Sequence, residues 1–287
     1  MKLKLHYPII IFLFYLINFL MKFLPLKILP LFGSFLGKIA FLILKSKRNL
    51  IYQNLKTAFP NWKEEKLKKC TLENFKHYGI TFLELFKTKK LLNKIEIEGI
   101  ENLNEKPSIF ITGHIGNWEL LAQALGNNGI PLFALAKKSY LNVFTNFLIN
   151  LRKKGNVETI LRSEKESPKL LLKSIKEGNV LGFLIDQDTK VDGIFIDFFG
   201  IPAYTPKGPI EIALKKKIPL NFGYLIRKGY FKYYSKIERI DTSSFNLEET
   251  LKIINKKFEN IIREHPTQWV WVHKRWKTKP NKNDFKR

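Results

Sequence analysis

Acidic residues are scarce in this chain, and its first 63 residues contain none while carrying ten lysines and arginines. Against 50 Lys and Arg the whole sequence sets 25 Asp and Glu, a formal net charge of +25, so the N-terminal end is built to face something anionic. Cysteine is almost as rare. The lone Cys70 excludes an intrachain disulfide, fits a reducing compartment and reads as a helix packing residue. No cysteine or histidine cluster has metal-ligand spacing, and neither a Walker loop nor a dinucleotide glycine fingerprint occurs, so neither a metal nor a cofactor is expected. Internal repeats and low-complexity tracts are missing, which excludes a solenoid. No serine or cysteine stands in a recognisable elbow, which argues against a covalent intermediate on the protein.

Apolar residues, in contrast, are plentiful: 45% of 287 residues are hydrophobic, enough for one large domain. From Tyr7 to Met21 the chain is almost entirely apolar, broken by Asn18, and continues past Lys22 through Phe23 and Leu24. This segment seeks a membrane, which it either crosses with Lys22 snorkelling or lies along as a monotopic anchor. A second apolar stretch, Leu31 to Leu44, contains Gly33, Gly37 and Lys38 and is short for a span, so it is assigned to the interface. Pro25-Leu26-Lys27 replaces the small-residue cleavage site of a signal peptide, and the segment is expected to be retained. Lys45, Lys47 and Arg48 follow it and by the positive-inside rule put the main domain in the cytoplasm. The expected organisation is a membrane anchor over 1–46, one domain over 47–276, and a basic, poorly ordered tail over 277–287 that helps hold anionic lipid.

Between Arg48 and Lys89 the pattern is helical, divided at Pro60. Phe75, Tyr78, Phe82, Leu85 and Phe86 recur at helical spacing and are expected to face the core rather than form a ligand box. After residue 92, short apolar runs at 95–97, 108–112, 132–136, 180–185 and 220–226 alternate with helical ones. That alternation predicts an α/β domain with a mixed sheet flanked by helices. Polar groups at strand ends, His114 and Asp186, then gather at one edge of the sheet, where open α/β folds place ligands.

His114, Ile115, Gly116, Asn117, Trp118 and Glu119 follow the second of these strands. Asn117 is a suitable N-cap for the helical run beginning at Trp118, which leaves His114 in a turn. Five positions along a regular helix do not share a face, but a strand-turn-helix corner can bring His114 and Glu119 together. A neutral imidazole is suited to take a proton from an alcohol near pH 7, and a carboxylate on its other nitrogen fixes the tautomer. Backbone N–H groups near Gly116 and Asn117 are candidate oxyanion donors. The plainer alternative is a satisfied turn histidine, with Glu119 merely favouring the positive end of a helix.

Five segments together carry a resemblance: Thr112-Gly113-His114-Ile115-Gly116-Asn117-Trp118-Glu119; Leu151-Arg152-Lys153-Lys154-Gly155; Asp186-Gln187-Asp188; Phe198-Phe199-Gly200 with Thr205-Pro206-Lys207-Gly208-Pro209; and Gln268 to Trp276. Over nearly its whole length the chain resembles the bacterial lipid A late acyltransferases. The resemblance implies a glycerolipid acyltransferase-like fold at the bacterial inner membrane. It implies transfer of a fatty acyl chain from acyl carrier protein, with a coenzyme A thioester as the alternative donor, to a hydroxyl of a lipid A precursor, with His114 as general base and Glu119 supporting it. Arg152 and an aspartate of the 186–188 segment are implied to contribute.

Read from the residues themselves, Asp186 and Asp188 emerge from a strand end near His114 and either polarise it or pair with Arg152. A metal there is thinly supported, and a solvated loop is the plain alternative for Asp188. Arg152 and Lys207 are candidates for a substrate phosphate, each with a solvated surface position as its alternative. Trp269, Trp271 and Trp276 alternate with His273, Lys274 and Arg275 as in a strand or an interfacial edge, at least one tryptophan being core. An acyltransferase acting on another membrane lipid or glycolipid uses the same chemistry. A membrane-tethered nucleic-acid-binding protein shares the basic composition but lacks any binding motif, so no nucleic acid is expected.

Overall fold

Each apolar face read from the sequence finds a partner here, with one large exception at the N-terminal helices. The computed structural model describes residues 6–162 and 164–280. Helices come first: α1 (His6–Phe23), α2 (Leu29–Ile43), α3 (Lys45–Ala58), α4 (Glu64–Glu84) and the short α5 (Thr88–Leu91). Strands and helices then alternate through β1 (Ile95–Glu98), β2 (Ser108–Thr112), α6 (Trp118–Asn127), β3 (Leu132–Ala136), α7 (Asn142–Lys154), β4 (Val157–Leu161), α8 (Ser167–Lys176) and β5 (Val180–Leu184). The hairpin β6 (Gly193–Phe198) and β7 (Ile201–Pro206) precedes α9 (Gly208–Lys216), β8 (Leu220–Gly229), β9 (Lys232–Ile240) and α10 (Leu247–Glu264).

Seven strands form one mixed sheet in the order β1-β9-β8-β2-β5-β3-β4. β8 and β9 pair antiparallel, and every other neighbouring pair runs parallel. The five candidate strands all appear, within a few residues of their expected ends. Four others lie outside them. β4 is an edge strand with an exposed Glu158. β9 buries Tyr233, Ser235 and Ile237 on one face while carrying Lys232, Lys236, Glu238 and Arg239, so its charge obscures its period-2 alternation. The β6–β7 hairpin turns through Phe199 and Gly200, both at positive φ (59° and 76°), the backbone of a two-residue primed turn.

β2 shows how the sheet divides the core, since its five residues are all buried. Ile109 and Ile111 join Phe183, Phe222, Phe258, Trp269 and Trp271 on one face. Phe110 points the other way, toward Leu120, Leu121 and Leu125 of α6.

The N-terminal helices are attached to this body rather than tethered beside it. α2 lies so close to α4 that a methyl group at Gly37 would come within 2.4 Å of the Phe75 carbonyl oxygen, and one at Gly79 within 2.1 Å of that of Gly33. Phe14 of α1 is buried against Phe86, Phe144 and Phe147 at ring-centroid distances of 6.0, 4.9 and 5.3 Å. The outer faces stay open: Phe12, Phe19, Phe23, Leu31, Phe35, Leu42 and Ile43 are all more than half exposed. Among the described residues the helix long and apolar enough to cross a membrane is Leu26–Ile43, whereas Tyr7–Phe23 falls just short. This reverses the ranking expected of the two segments, because the turn at Leu26–Ile28 runs directly into α2 and extends it at its start. The beginning of the basic tail is held, with the Thr278 N–H donating to Asp188 Oδ2 at 2.9 Å; residues 281–287 lie outside the described residues.

Candidate active site

Strand register brings the site together. β2 and β5 are parallel neighbours with Thr112 opposite Leu184, so the residues just beyond them, His114 and Asp186, emerge side by side at the C-terminal edge of the sheet. The Asp186 carboxylate grips His114 twice: the His114 backbone N–H donates to Oδ2 and its ring Nδ1 to Oδ1, each at 2.8 Å. The indole Nε1–H of Trp269 donates to Oδ2, also at 2.8 Å. Burial alone would raise the Asp186 pKa, but the charge and hydrogen bonds of His114, with the Trp269 bond, outweigh it and hold the carboxyl below its usual range. An ionised carboxylate only accepts, so Nδ1 carries a proton and Nε2 is the nitrogen left with a lone pair.

His114 lines a cavity of about 580 Å³. Glu119, Arg152, Lys137, Arg162 and Gln187 also border it, together with apolar walls from Phe82, Leu85, Phe144, Leu148 and Phe183. A pocket of about 30 Å³ between Phe110, Leu121, Ala134 and Gly182 shares Trp118, Glu119 and Arg152 with it. Trp118 stands edge-on to the His114 ring at 4.9 Å. Of the apolar row from Phe75 to Phe86 expected to face the core, Tyr78, Phe82 and Leu85 border the cavity. Phe75 packs inward and Phe86 lies tilted against Phe14.

Glu119 is not on the imidazole. Arg152 holds it as a two-pronged fork, Nε to Oε2 at 2.8 Å and Nη2 to Oε1 at 2.5 Å, both side chains buried. Burial would lower the Arg152 pKa, but the charge and hydrogen bonds of Glu119 outweigh it and raise it. The expectation that Glu119 braces His114 directly is therefore corrected: Glu119 sits one residue into α6, where the last turn of α7 presents Arg152, and Asp186 already occupies the ring nitrogen. Asp186 is thus the carboxylate hydrogen-bonded to His114, and Arg152 is paired with Glu119.

The other candidates separate in space. Asp188 is buried but turned away: its Oδ2 accepts from the Thr278 N–H, its carbonyl oxygen accepts from Lys277 Nζ at 2.9 Å, and His273 Nε2 lies 2.9 Å from that oxygen. This fastens the C-terminal segment and replaces the solvated-loop alternative. Lys207 pairs with Asp192 at 3.0 Å and Glu211 at 3.4 Å and does not border the main cavity. Asn117 caps α6, its Oδ1 accepting from the Leu120 N–H at 3.0 Å. The Gly116 N–H donates to the Gln268 carbonyl oxygen at 2.8 Å, which removes it as an oxyanion donor. Gly116 itself is obligatory, with φ of +58° and the Leu225 carbonyl oxygen 1.7 Å from where a methyl group would stand.

Trp269 and Trp271 are fully buried, so the expected interfacial edge is corrected to an interior segment, whose antiparallel bridge to Ile115 positions Trp269 over Asp186. Arg275 meets protein rather than lipid, donating to the Tyr204 carbonyl oxygen at 2.6 Å and to Thr205 Oγ1 at 2.8 Å, with burial pulling its pKa down to about 10. Sequence reasoning missed Trp269 as a site residue. It also missed a polar row on α4, His77, Thr81 and Glu84, although its i, i+4, i+7 spacing among apolar neighbours is a readable signal. Among the described residues no group of three or more His, Cys, Asp or Glu is placed to hold a metal ion.

A family model described as bacterial lipid A biosynthesis acyltransferase matches residues 1–278. The chain is 25% identical over 274 residues to the lipid A biosynthesis lauroyltransferase of Escherichia coli (strain K12), covering 90% of this chain and 88% of that one. It is 21% identical over 216 residues to a phosphatidylinositol mannoside acyltransferase of Mycobacterium tuberculosis (strain CDC 1551 / Oshkosh), 69% of this chain and 67% of the relative. Among solved structures, the 1-acyl-sn-glycerophosphate acyltransferase from Thermotoga maritima matches with a TM-score of 0.40 and 16% identity, over 85% of this chain and 97% of that one.

Proposed function

Because this chain belongs to the bacterial lipid A biosynthesis acyltransferase family, and so is an O-acyltransferase, we propose that it moves a fatty acyl chain from acyl carrier protein to a hydroxyl of a lipid A precursor with His114 as general base. The observation that carries this reading is the His114–Asp186–Trp269 arrangement on the cavity wall. His114 Nε2 takes the acceptor hydroxyl proton as the oxygen attacks the thioester carbonyl carbon. Asp186 stabilises the imidazolium and keeps its orientation. Arg152 borders the cavity with an Nη1 that Glu119 does not engage, which leaves a donor for the developing oxyanion. As the tetrahedral intermediate collapses, the carbon–sulfur bond breaks and the leaving thiolate takes the proton from His114, giving an ester and a free carrier thiol. The apolar walls receive the acyl chain.

Lys137 and Arg162 support an anionic substrate. They follow β3 and β4 directly, where Ala136 pairs with Leu161, so they stand next to each other at the cavity rim. Neither has a carboxylate partner among the described residues. A phosphate of the acceptor or of the carrier's prosthetic arm suits that pair. A second reading, transfer to a different glycolipid, draws support from the mannoside-acylating relative, because His–Asp chemistry serves any hydroxyl. The exposed apolar faces of α1 and α2 support placement at the bacterial inner membrane, and the basic Lys45, Lys47 and Arg48 that follow α2 support a cavity facing the cytoplasm.

The test is transfer of labelled acyl groups from acyl carrier protein by detergent-purified protein, comparing wild type with folded His114→Ala. Transfer to the lipid A precursor that the substitution abolishes supports both substrate and base. Transfer only to another glycolipid moves the acceptor, and activity that survives in His114→Ala sinks the mechanism.

A further inference from the structure

Behind the catalytic corner, next to Thr81 and Asn117 of the cavity wall, a charged group sits almost sealed in the protein. Glu84 of α4 is 1% exposed, and its carboxylate receives four hydrogen bonds. Oε1 accepts from Tyr233 OH at 2.5 Å and Arg227 Nε at 2.9 Å; Oε2 accepts from Arg227 Nη2 at 2.8 Å and Asn117 Nδ2 at 2.9 Å. Arg227 also reaches His77 Nδ1 at 2.8 Å and Thr81 Oγ1 at 2.9 Å. A guanidinium only donates, so His77 Nδ1 must be an acceptor and its proton resides on Nε2, which lies 3.2 Å from the Gly116 carbonyl oxygen. Burial, then the Arg227 charge, holds His77 well below its usual pKa and keeps it neutral.

We propose that the Glu84–Arg227 pair is a positioning device for the reaction, setting the corner between His114 and α6 through two tethers, Asn117 and, by way of His77, Gly116. This inference rests on the acyl-transfer function proposed above. Asn117 is the joint: its oxygen caps α6 while its nitrogen binds Glu84, so the carboxylate decides which way the amide faces. Gly116 lies between that amide and His114, and its own N–H and C=O are both engaged, by Gln268 and His77. Arg227 closes the loop, because Gln268 exchanges two hydrogen bonds with the Arg227 backbone at 2.9 Å each. Glu84 and Arg227 do not border the acyl cavity although their partners Thr81 and Asn117 do, so the pair itself acts through the corner and not on substrate. No amide can take the place of this carboxylate, since either orientation of a glutamine sets an NH₂ against an Arg227 N–H.

Two variants discriminate together: Tyr233→Phe, which does not border the cavity, and Asn117→Ser, which borders it, retains an N-cap acceptor and removes the amide that reaches Glu84. Full-length Asn117→Ser, Glu84→Gln and Tyr233→Phe are compared with wild type for kcat, KM for both substrates, thermal midpoint and the rate at which diethyl pyrocarbonate modifies His114, read by peptide mass. Asn117→Ser is expected to lower kcat at least about tenfold with KM within about twofold and little change in midpoint. Its His114 modification rate is expected to change by about twofold or more as the corner loosens. Glu84→Gln follows the same pattern in its folded fraction. Should that variant fail to fold, Tyr233→Phe, which removes one bond of four, is expected to lower kcat about two- to fivefold. Wild-type kcat in folded Asn117→Ser, a rise in KM alone, or a kcat loss that merely tracks lost folded protein would each overturn the proposal. If wild type transfers no acyl group, the proposed function falls, and an unchanged His114 modification rate then counts against the positioning device separately.

Discussion

At the scale of single residues the site turns on which carboxylate serves which cation. His114 was legible because an apolar strand, a turn and a capped helix are local features. Its partner was not, because choosing Asp186 over Glu119 depends on the register of β2 against β5, 72 residues later in the chain. Asp186→Asn is expected to retain the fold and lower kcat about a thousandfold with little change in KM, since an amide no longer stabilises the imidazolium; the labelled transfer assay reads it. The sign of its acid response also follows. A carboxyl held below its ordinary value contributes full stability above about pH 4, and that contribution disappears as pH falls through the folded value. Asp186→Asn should therefore lose less stability than wild type between neutral pH and that acid range. For the Glu119–Arg152 fork the expectation is coupling. Removing either partner strands a buried charge at a cost of about 3–5 kcal/mol. The double variant Glu119→Gln, Arg152→Gln should be no worse than the poorer single one, which denaturant titration of all three can check. Strict additivity would mean that the two residues act separately.

At the scale of elements, alternating apolar segments announced an α/β sheet, and the strands that escaped notice did so for physical reasons. β9 carries its charges on a half-solvated face, and the β6–β7 hairpin needs a phenylalanine at positive φ, a residue no turn rule anticipates. Phe199 is held there by its surroundings: its N–H donates to Glu259 Oε1 at 2.7 Å, and its ring lies edge-on to Phe59. The contact between α2 and α4 was equally hidden, since nothing local in an apolar segment marks Gly33 and Gly37 as the place where two backbones meet. Gly37→Val is expected to lower stability by about 3 kcal/mol or more, the upper end for overpacking, because the obstruction is backbone and not a movable side chain. A thermal midpoint within a degree of wild type would mean that α2 is free to shift away from α4.

The whole molecule presents two unlike surfaces, a basic body and a set of exposed large apolar side chains over α1 and α2, the kind of surface that marks a membrane or protein contact. Length and composition permit α2 to cross a bilayer, yet its glycine face is in backbone contact with α4, whose first turns carry Glu64, Glu65, Lys66, Lys68 and Lys69. Inserting α2 would carry charged α4 toward hydrocarbon, at a cost of about 2.5–3.5 kcal/mol for each charge that reached the centre. Both helices are therefore expected to lie along one leaflet with their exposed phenylalanines in the acyl boundary and lysines at the headgroups. Cysteine labelling separates the two arrangements without background, because Cys70 is buried and its thiol is pushed up to about 12 by that burial. Lys22→Cys in the last turn of α1 and Lys47→Cys in the first turn of α3 flank α2 at exposed positions. In sealed vesicles with the cytoplasmic side outward, an impermeant maleimide is expected to label both. Labelling of Lys47→Cys alone would put α2 across the membrane and separate it from the face of α4 on which it is packed here.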